Sequence, residues 1–376
     1  MRRYVTALLC LPILALATHA QWDLQDSQTT ASLRGIHNLG GGVAWASGTN
    51  GTVLRTVDGG HLWQTCVIPP GAEYLDFRGI QAFDEHTAIV MSSGKGDLSR
   101  LYKTTDGCKS WSLLFTNPDK DGFWDSVRFE SPTRQRSRRG ILIGDPVQGR
   151  FALFVSSDLN TWTQVTARDV KGLRARGGEA VFAASNSAAD AIGDAGNLVF
   201  VTGGTGGPRM FHLLGGGLVL DTWMTPPSFE ETNMHLPHAT ESQGAFSIAH
   251  RQIDQVTFDY MVVGGDYLKP DAPGASVFVP APTYSFFMRH QKLIYPTTPP
   301  HGYRSAVSYD EKTKLWITVG PNGTDISTDD GKNWRALHAK PGQPAGADNK
   351  WNALSLPFAV GSNGRIGKLR DDALKP

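Results

Sequence analysis

Cysteine is scarce in this chain: there are three, Cys10, Cys66 and Cys108. No cluster of thiols accompanies a histidine pair, so a zinc-type centre is not expected, and His235 and His238 alone make a poor metal site. Neither sign of charge dominates, with Lys+Arg 36 and Asp+Glu 35. A global field for nucleic acid is therefore missing. Past the N-terminus no apolar run is long enough to span a bilayer. No glycine fingerprint follows a strand into a helix, which removes the usual dinucleotide site. No metal and no cofactor is expected from these residues.

What the chain does have begins with a leader. Arg2 and Arg3 precede an apolar run over 5–17, and Thr18-His19-Ala20 offers small residues at the positions a signal peptidase reads. The twin arginine lacks the rest of a Tat motif, and Leu9 before Cys10 argues against a lipoprotein. The expectation is a signal peptide over 1–20, cleaved near Ala20, and a single domain over 21–376. A bacterial periplasmic or secreted location follows. Loss of Arg2 and Arg3 leaves 34 basic against 35 acidic side chains.

Glycine is abundant, at 42 residues, and hydrophobic content is 40%. That composition suits one large β domain with many turns. One phrase recurs: a hydroxyl residue, an Asp-Gly-rich turn, then tryptophan. Thr56-Val57-Asp58-Gly59-Gly60-His61-Leu62-Trp63 is the first copy. Thr104-Thr105-Asp106-Gly107-Cys108-Lys109-Ser110-Trp111 and Ser327-Thr328-Asp329-Asp330-Gly331-Lys332-Asn333-Trp334 repeat it. Ser156-Ser157-Asp158-Leu159-Asn160-Thr161-Trp162 is one residue short.

The closing aromatics are Trp63, Trp111, Trp162, Trp223, Tyr284 and Trp334, at intervals of 48, 51, 61, 61 and 50 residues. Four-stranded propeller blades run at about this length. Residues 352–370 supply only three short strands, and Trp22-Asp23-Leu24-Gln25 offers the missing fourth. The fold expected is all-β: a seven-bladed propeller of four-stranded antiparallel blades, the last closed by strands from both termini. Hairpin turns at Asn50-Gly51, Asn322-Gly323 and Asn363-Gly364 support the pattern. Residues 175–301 depart from it, with longer loops and no copy of the phrase. Cys66 and Cys108 fall in neighbouring blades, and whether they pair is left open, since a disulfide needs a short Cα separation.

In a tight turn between third and fourth strands, an Asp carboxylate accepts backbone N–H bonds while Trp packs beneath. Asp58, Asp106, Asp158 and Asp329, with Trp63, Trp111, Trp162 and Trp334, are therefore read as structural. The alternating oxygen ligands of a calcium loop are missing.

Function is sought at the other end of the blades. Arg34, Arg78, Arg128 and Arg304 each stand near the start of an innermost strand, and Glu179 takes that place in blade four. The arginines are expected to ring the channel mouth, beside the turns carrying Asp145 and Asp266, with Tyr267 and Lys269 nearby. Such a mouth suits a carboxylate, sulfate or phosphate. A structural ring of Arg–Asp pairs is the other reading. Glu179 is read mainly as an ion-pair partner for Arg128 or Arg176. As a catalytic group it would act with Asp145 or Asp266 and Tyr303 or Tyr267. Arg134, Arg136, Arg138 and Arg139 are read as a solvated hairpin tip, with an anionic contact as the alternative.

The repeated phrase resembles the Asp-box of the BNR, sialidase-like propellers. Val53-Leu54-Arg55-Thr56-Val57-Asp58-Gly59-Gly60, Leu101-Tyr102-Lys103-Thr104-Thr105-Asp106-Gly107, Gly264-Gly265-Asp266-Tyr267 and Gly302-Tyr303-Arg304-Ser305-Ala306-Val307 resemble the photosystem II stability/assembly factor-like members of that group. The resemblance covers nearly all of 21–376. It implies a non-catalytic scaffold that binds a protein partner, through an arginine-rich patch in the photosynthetic members. Nothing in the sequence marks a phototroph. The second class is a sialidase-like glycoside hydrolase or an inactive carbohydrate binder, with Arg34, Arg78 and Arg304 imitating an arginine triad. Against it, Arg34 and Arg78 are each followed by Gly-Ile where that family has Ile-Pro. The reading is an exported scaffold whose arginine-ringed mouth binds a protein partner, an anionic glycan or a small anion.

Overall fold

The computed structural model describes residues 21–130, 139–192, 197–214, 227–254, 257–281, 292–337, 346 and 348–374. The proposed leader, Arg134, Arg136, Arg138, Trp223 and Tyr284 lie outside them.

The chain folds into a seven-bladed β-propeller. Blade one comprises Leu33–Gly40, Val43–Gly48, Val53–Thr56 and Gln64–Thr65. Blade two comprises Phe77–Ala82, Ala88–Ser92, Arg100–Thr104 and Ser112–Thr116. Blade three comprises Trp124–Phe129, Gly140–Val147, Arg150–Ser156 and Thr163–Gln164. In blade four, Ala189–Ile192 is innermost, followed by Asn197–Val201, Arg209–Leu214 and Ser228–Asn233. Blade five holds Gln243–Gln252, Phe258–Asp266 and Ala275–Val279, and its outer edge is met by an antiparallel bridge between Phe278 and Ile294. Blade six comprises Ala306–Asp310, Leu315–Gly320, Gly323–Ser327 and Arg335–Ala336.

The ring closes as the sequence suggests. Trp351–Ser355, Phe358–Gly361 and Ile366–Leu369 are completed by Trp22–Gln25, antiparallel to the last, with Trp22 opposite Leu369 and Gln25 opposite Ile366. Pairing the two ends of the chain in one sheet ties the ring shut without a separate closure element.

The apolar core is divided among the joints. Each of seven buried clusters lies between adjacent blades. Blade sheets therefore read as apolar on both faces, as in Ala88–Ser92 and Leu315–Gly320, which are buried throughout.

The aspartate turns do their expected local work. Thr56 Oγ1 donates to Asp58 Oδ1 at 2.8 Å, and Leu62 N donates to the same oxygen at 3.0 Å. Ser327 and Asn333 N repeat this around Asp329 at 2.9 Å each. Asp106 is held down at about 2, first by the Ser110 hydroxyl, then by the Ser110 amide and Thr104. Asp158 is also held at about 2, chiefly by the amides of Thr161 and Asn160, although its turn is one residue shorter.

Three of the four turn tryptophans, Trp162 being the exception, do more than pack under the turns. Trp63 Nε1 donates to Gln25 Oε1 of blade seven at 2.8 Å. Trp111 Nε1 donates to Val67 O at 2.8 Å, and Trp334 Nε1 to Ser276 Oγ of blade five at 2.9 Å. Each indole thus stitches its blade to the one before. Cys66 and Cys108 form a disulfide with a Cα separation of 5.3 Å, clamping the joint between blades one and two.

Candidate binding mouth

First strands begin on one face of the ring, and second-to-third turns return there. The aspartate turns lie on the opposite face. The side chains that reach the channel mouth are chosen by a recurring defect in the innermost strand. The register skips one residue between Leu33 and Gly35, Phe77 and Gly79, Trp124 and Ser126, Ala245 and Ser247, and Trp351 and Ala353. The skipped residues are Arg34, Arg78, Asp125, Phe246 and Asn352. A bulge re-aims its extra side chain, so these positions form the ring at the mouth.

Arg34 and Arg78 come together there. Asp76 Oδ2 lies 2.8 Å from Arg78 Nε and 3.5 Å from Arg34 Nε. Their side chains remain 30% and 27% exposed. Arg78 Nη1 also donates to Ala183 O at 3.2 Å. Arg34 Nε, Asp76 Oδ1 and Asp125 Oδ2 are buried and have no hydrogen-bond partner among the described residues.

The other wall is aromatic. Phe182 stacks on Phe246 with centroids 4.0 Å apart and planes at 3°. Tyr267 stands edge-on to both, and Tyr303 meets Phe246 edge-on at 4.7 Å. Burial pushes the Tyr303 hydroxyl up, while Arg34 and Arg78 pull the other way. Tyr267, Leu268, Leu98 and Tyr74 are exposed on this same face.

The loop into blade four crosses the axis beneath the mouth. Ser185 Oγ donates to Ser305 O of blade six at 2.6 Å, and Ser126 Oγ to Asn186 O at 2.7 Å. Asn186 exchanges two bonds with the Val127 backbone, and Ser187 meets Ser247 Oγ at 2.7 Å. Gly79 has to be small here, since a Cβ would lie 2.9 Å from Asn186 Oδ1. The segment 183–187 therefore ties blades two, three, five and six together across the axis.

Two carboxyl groups sit beside the arginines. Asp145 Oδ1 accepts from Val181 N at 3.0 Å, yet burial pushes its carboxyl up to about 6. Asp125 is raised well above the ordinary range, by burial first and by Asp145 second, with Arg78 opposing. Like charges so close, out of water, disfavour double ionisation.

Other candidates are placed elsewhere. Glu179 is not on the innermost strand of blade four. It lies upstream, in the short strand Glu179–Ala180 paired with Gly203–Gly204, because the loop into the blade is longer than the sequence pattern implied. Its carboxylate pairs with the Arg209 guanidinium, not with that of Arg128 or Arg176, and accepts from Thr202 Oγ1 at 2.7 Å and the Arg176 backbone N at 2.9 Å. Arg304 is fully buried, with Nε 2.6 Å from Asp325 Oδ2 and Nη1 2.6 Å from Asn322 Oδ1. Arg128 lies further along the strand Trp124–Phe129, where Nε donates to Ala189 O at 2.7 Å. Near it, Asp190 holds His250 Nδ1 at 2.7 Å. Asp266 caps its own turn through Leu268 N at 3.0 Å. Burial raises that carboxyl, and bonds from Ser242, Leu268 and Gln243 outweigh burial, leaving it below its ordinary value. Lys269 is exposed on the same turn. Arg139 is paired with Glu130 at 2.9 Å. Among the described residues no group of three or more His, Cys, Asp or Glu side chains is placed to hold a metal, and no helix is long and apolar enough to cross a membrane.

Sequence reading missed Asp76, Asp125, Phe182 and Phe246. The signal for two of them was present. Arg34-Gly35-Ile36, Arg78-Gly79-Ile80, Asp125-Ser126-Val127, Phe246-Ser247-Ile248 and Asn352-Ala353-Leu354 share a bulge residue, a small residue and an aliphatic. Aligning blade three on Arg128 instead of Asp125 hid the pattern.

No family model and no curated protein matches the chain. Solved structures do. YCF48 bound to D1 peptide is 15% identical with a TM-score of 0.57, covering 94% of this chain and 98% of that one. YCF48 from Cyanidioschyzon merolae is 16% identical with a TM-score of 0.58, covering 93% and 99%. The WD40 β-propeller domain of Doa1 is 10% identical with a TM-score of 0.55, covering 96% and 100%. At these identities the likeness is one of fold.

Proposed function

We propose that this chain is an exported scaffold of the BNR/Asp-box, assembly-factor-like kind, and that it binds a protein partner at the mouth through Arg34 and Arg78. The observation that carries this is the arginine pair itself. Asp76 bonds Arg78 at 2.8 Å and stands 3.5 Å from Arg34, and both side chains stay partly exposed, beside a wall of aromatic rings. Guanidinium forks beside apolar surface suit an acidic segment of polypeptide, and Arg78, already held by Asp76, loses little freedom on binding. That a propeller of the same fold was solved with a bound peptide is consistent with the reading.

The sialidase-like alternative is supported less well. A Tyr nucleophile needs an accessible, activated hydroxyl, whereas burial pushes Tyr303 up. Glu179 and Asp266 are engaged away from the arginines, and Arg304 is sealed inside blade six.

The test is binding of labelled hexaglutamate, N-acetylated and C-terminally amidated, read by fluorescence anisotropy. The Arg34→Ala/Arg78→Ala protein should lose at least about tenfold in affinity, or ~1.4 kcal/mol. A control change of Lys312 on the opposite face should do nothing. Equal binding by the double variant sinks the reading, and turnover of sialosides by the wild type would replace it with the hydrolase.

A further inference from the structure

A binding mouth built from arginines has no evident need for two adjacent acids. Yet Asp125 occupies the bulge position next in the ring after Arg34 and Arg78, and Asp145 stands beside it. Structural ion pairing does not account for them. Asp125 is 1% exposed, and its Oδ2 has no hydrogen-bond partner among the described residues. Asp145 receives one bond, from the Val181 amide.

The groups around the pair can be named. Arg78 faces it from blade two and is already committed to Asp76 and Ala183 O. The crossing loop contributes the amides of Val181 and Ala183 and no ionisable side chain at 181–183. Glu179, just upstream, is neutralised by Arg209. Arg34, Tyr303 and Tyr267 complete the mouth. Among the described residues no cation is thus dedicated to the two acids.

We propose that the partner segment presents a carboxylate to Arg34 and Arg78, and that the Asp125–Asp145 pair takes up one proton from solvent as that carboxylate binds. The inference rests on the mouth being the binding site. The chemistry is a single O–H bond formed on one aspartate, with no other bond changed. An incoming anion adds negative potential beside carboxyl groups that share one desolvated corner, and the cheapest response is protonation. A protonated carboxyl then donates a hydrogen bond to the ligand where a carboxylate would repel it. Asp145 is poised for this, since its carboxyl already stands at about 6.

The experiment uses hexaglutamate, with hexalysine as the opposite probe, between pH 6 and pH 8 at constant salt. Glutamate side chains stay ionised throughout that window. Wild-type affinity for hexaglutamate should fall at least about fivefold from pH 6 to pH 8, with net proton uptake seen by calorimetry in two buffers of different ionisation heat. Asp145→Asn keeps the acceptor for Val181 N, and its affinity should change less than about twofold over the window. Asp125→Asn is the second variant and should also flatten the profile. A slope that survives in both variants overturns the proton coupling. Arginine-dependent binding that is flat in the wild type overturns the coupling alone. No hexaglutamate binding at any pH, or tighter binding of hexalysine, overturns the binding site as well.

Discussion

The starts of blades one and two and the start of blade six look alike in sequence and behave oppositely. Leu33-Arg34-Gly35 and Phe77-Arg78-Gly79 place arginine on a bulge, aimed into the mouth and shared across one carboxylate. Tyr303-Arg304-Ser305 places arginine ahead of its strand, with no register skip, and turns it inward onto Asp325, Asn322 and His301. The first pair keeps solvent on its side chains, while the other arginine has none. One residue of register therefore separates a group that can meet a ligand from one that holds a blade together.

That contrast can be broken most severely on the sealed side. Arg304→Ala leaves Asp325 buried without its guanidinium partner, keeping the bonds from the His301 amide and ring. It should cost about 3–5 kcal/mol in denaturant unfolding, as removal of one member of a buried pair does. If the variant unfolds by less than about 1 kcal/mol, the sealed reading of blade six fails.

Opening the Cys66–Cys108 clamp loosens the joint between the two blades that present the open arginines. The sequence separation is 42 residues, which the chain-entropy relation converts to about 4 kcal/mol, with 2–4 typical of measured cases. Thermal unfolding with and without reductant reads this directly. A Cys66→Ser/Cys108→Ser protein should lose a similar amount and should not respond to reductant.

The mouth side is expected to respond to acid removal with a gain. The folded carboxyl of Asp145 stands at about 6 against an ordinary 3.8. A raised acid binds its proton more tightly in the folded state, so stability rises as pH falls from about 6 towards 4. Above pH 6 the ionised group costs the fold on the order of 2 kcal/mol. Asp145→Asn should therefore stabilise the protein by about 1–2 kcal/mol at pH 8, and the gain should vanish below pH 4. Urea titrations at pH 8, 6 and 4 give the sign.

Arg78→Ala should have the smallest effect on folding, within about 1 kcal/mol, because the guanidinium is partly solvated. Its effect belongs to ligand binding. The pair Arg304→Ala and Arg78→Ala thus sharpens the contrast: the first moves stability, the second moves affinity.

The regular blades were legible because each carries its own punctuation. Asp58, Asp106, Asp158 and Asp329 satisfy nearby amides, so the turn is specified locally and repeats at a visible interval. The closing strand Trp22–Gln25 was legible from a deficit, since blade seven had only three strands of its own. Blade four was misaligned because its loop has no such punctuation. Glu179 looked like a strand start, but the strand begins at Ala189, and what fixes 183–187 are bonds to blades two, three, five and six.

What the sequence by itself determined is the propeller, its blade count and the turn chemistry, since these follow from local hydrogen bonding and a repeated period. What only the tertiary structure decided is which charged groups meet. Arg34, Arg78, Asp125, Asp145 and Tyr303 come from four different blades. Their convergence depends on bulge register and on a loop that crosses the axis. The bulge triplet marks locally which side chains are re-aimed, but which groups they meet is set by long-range contacts.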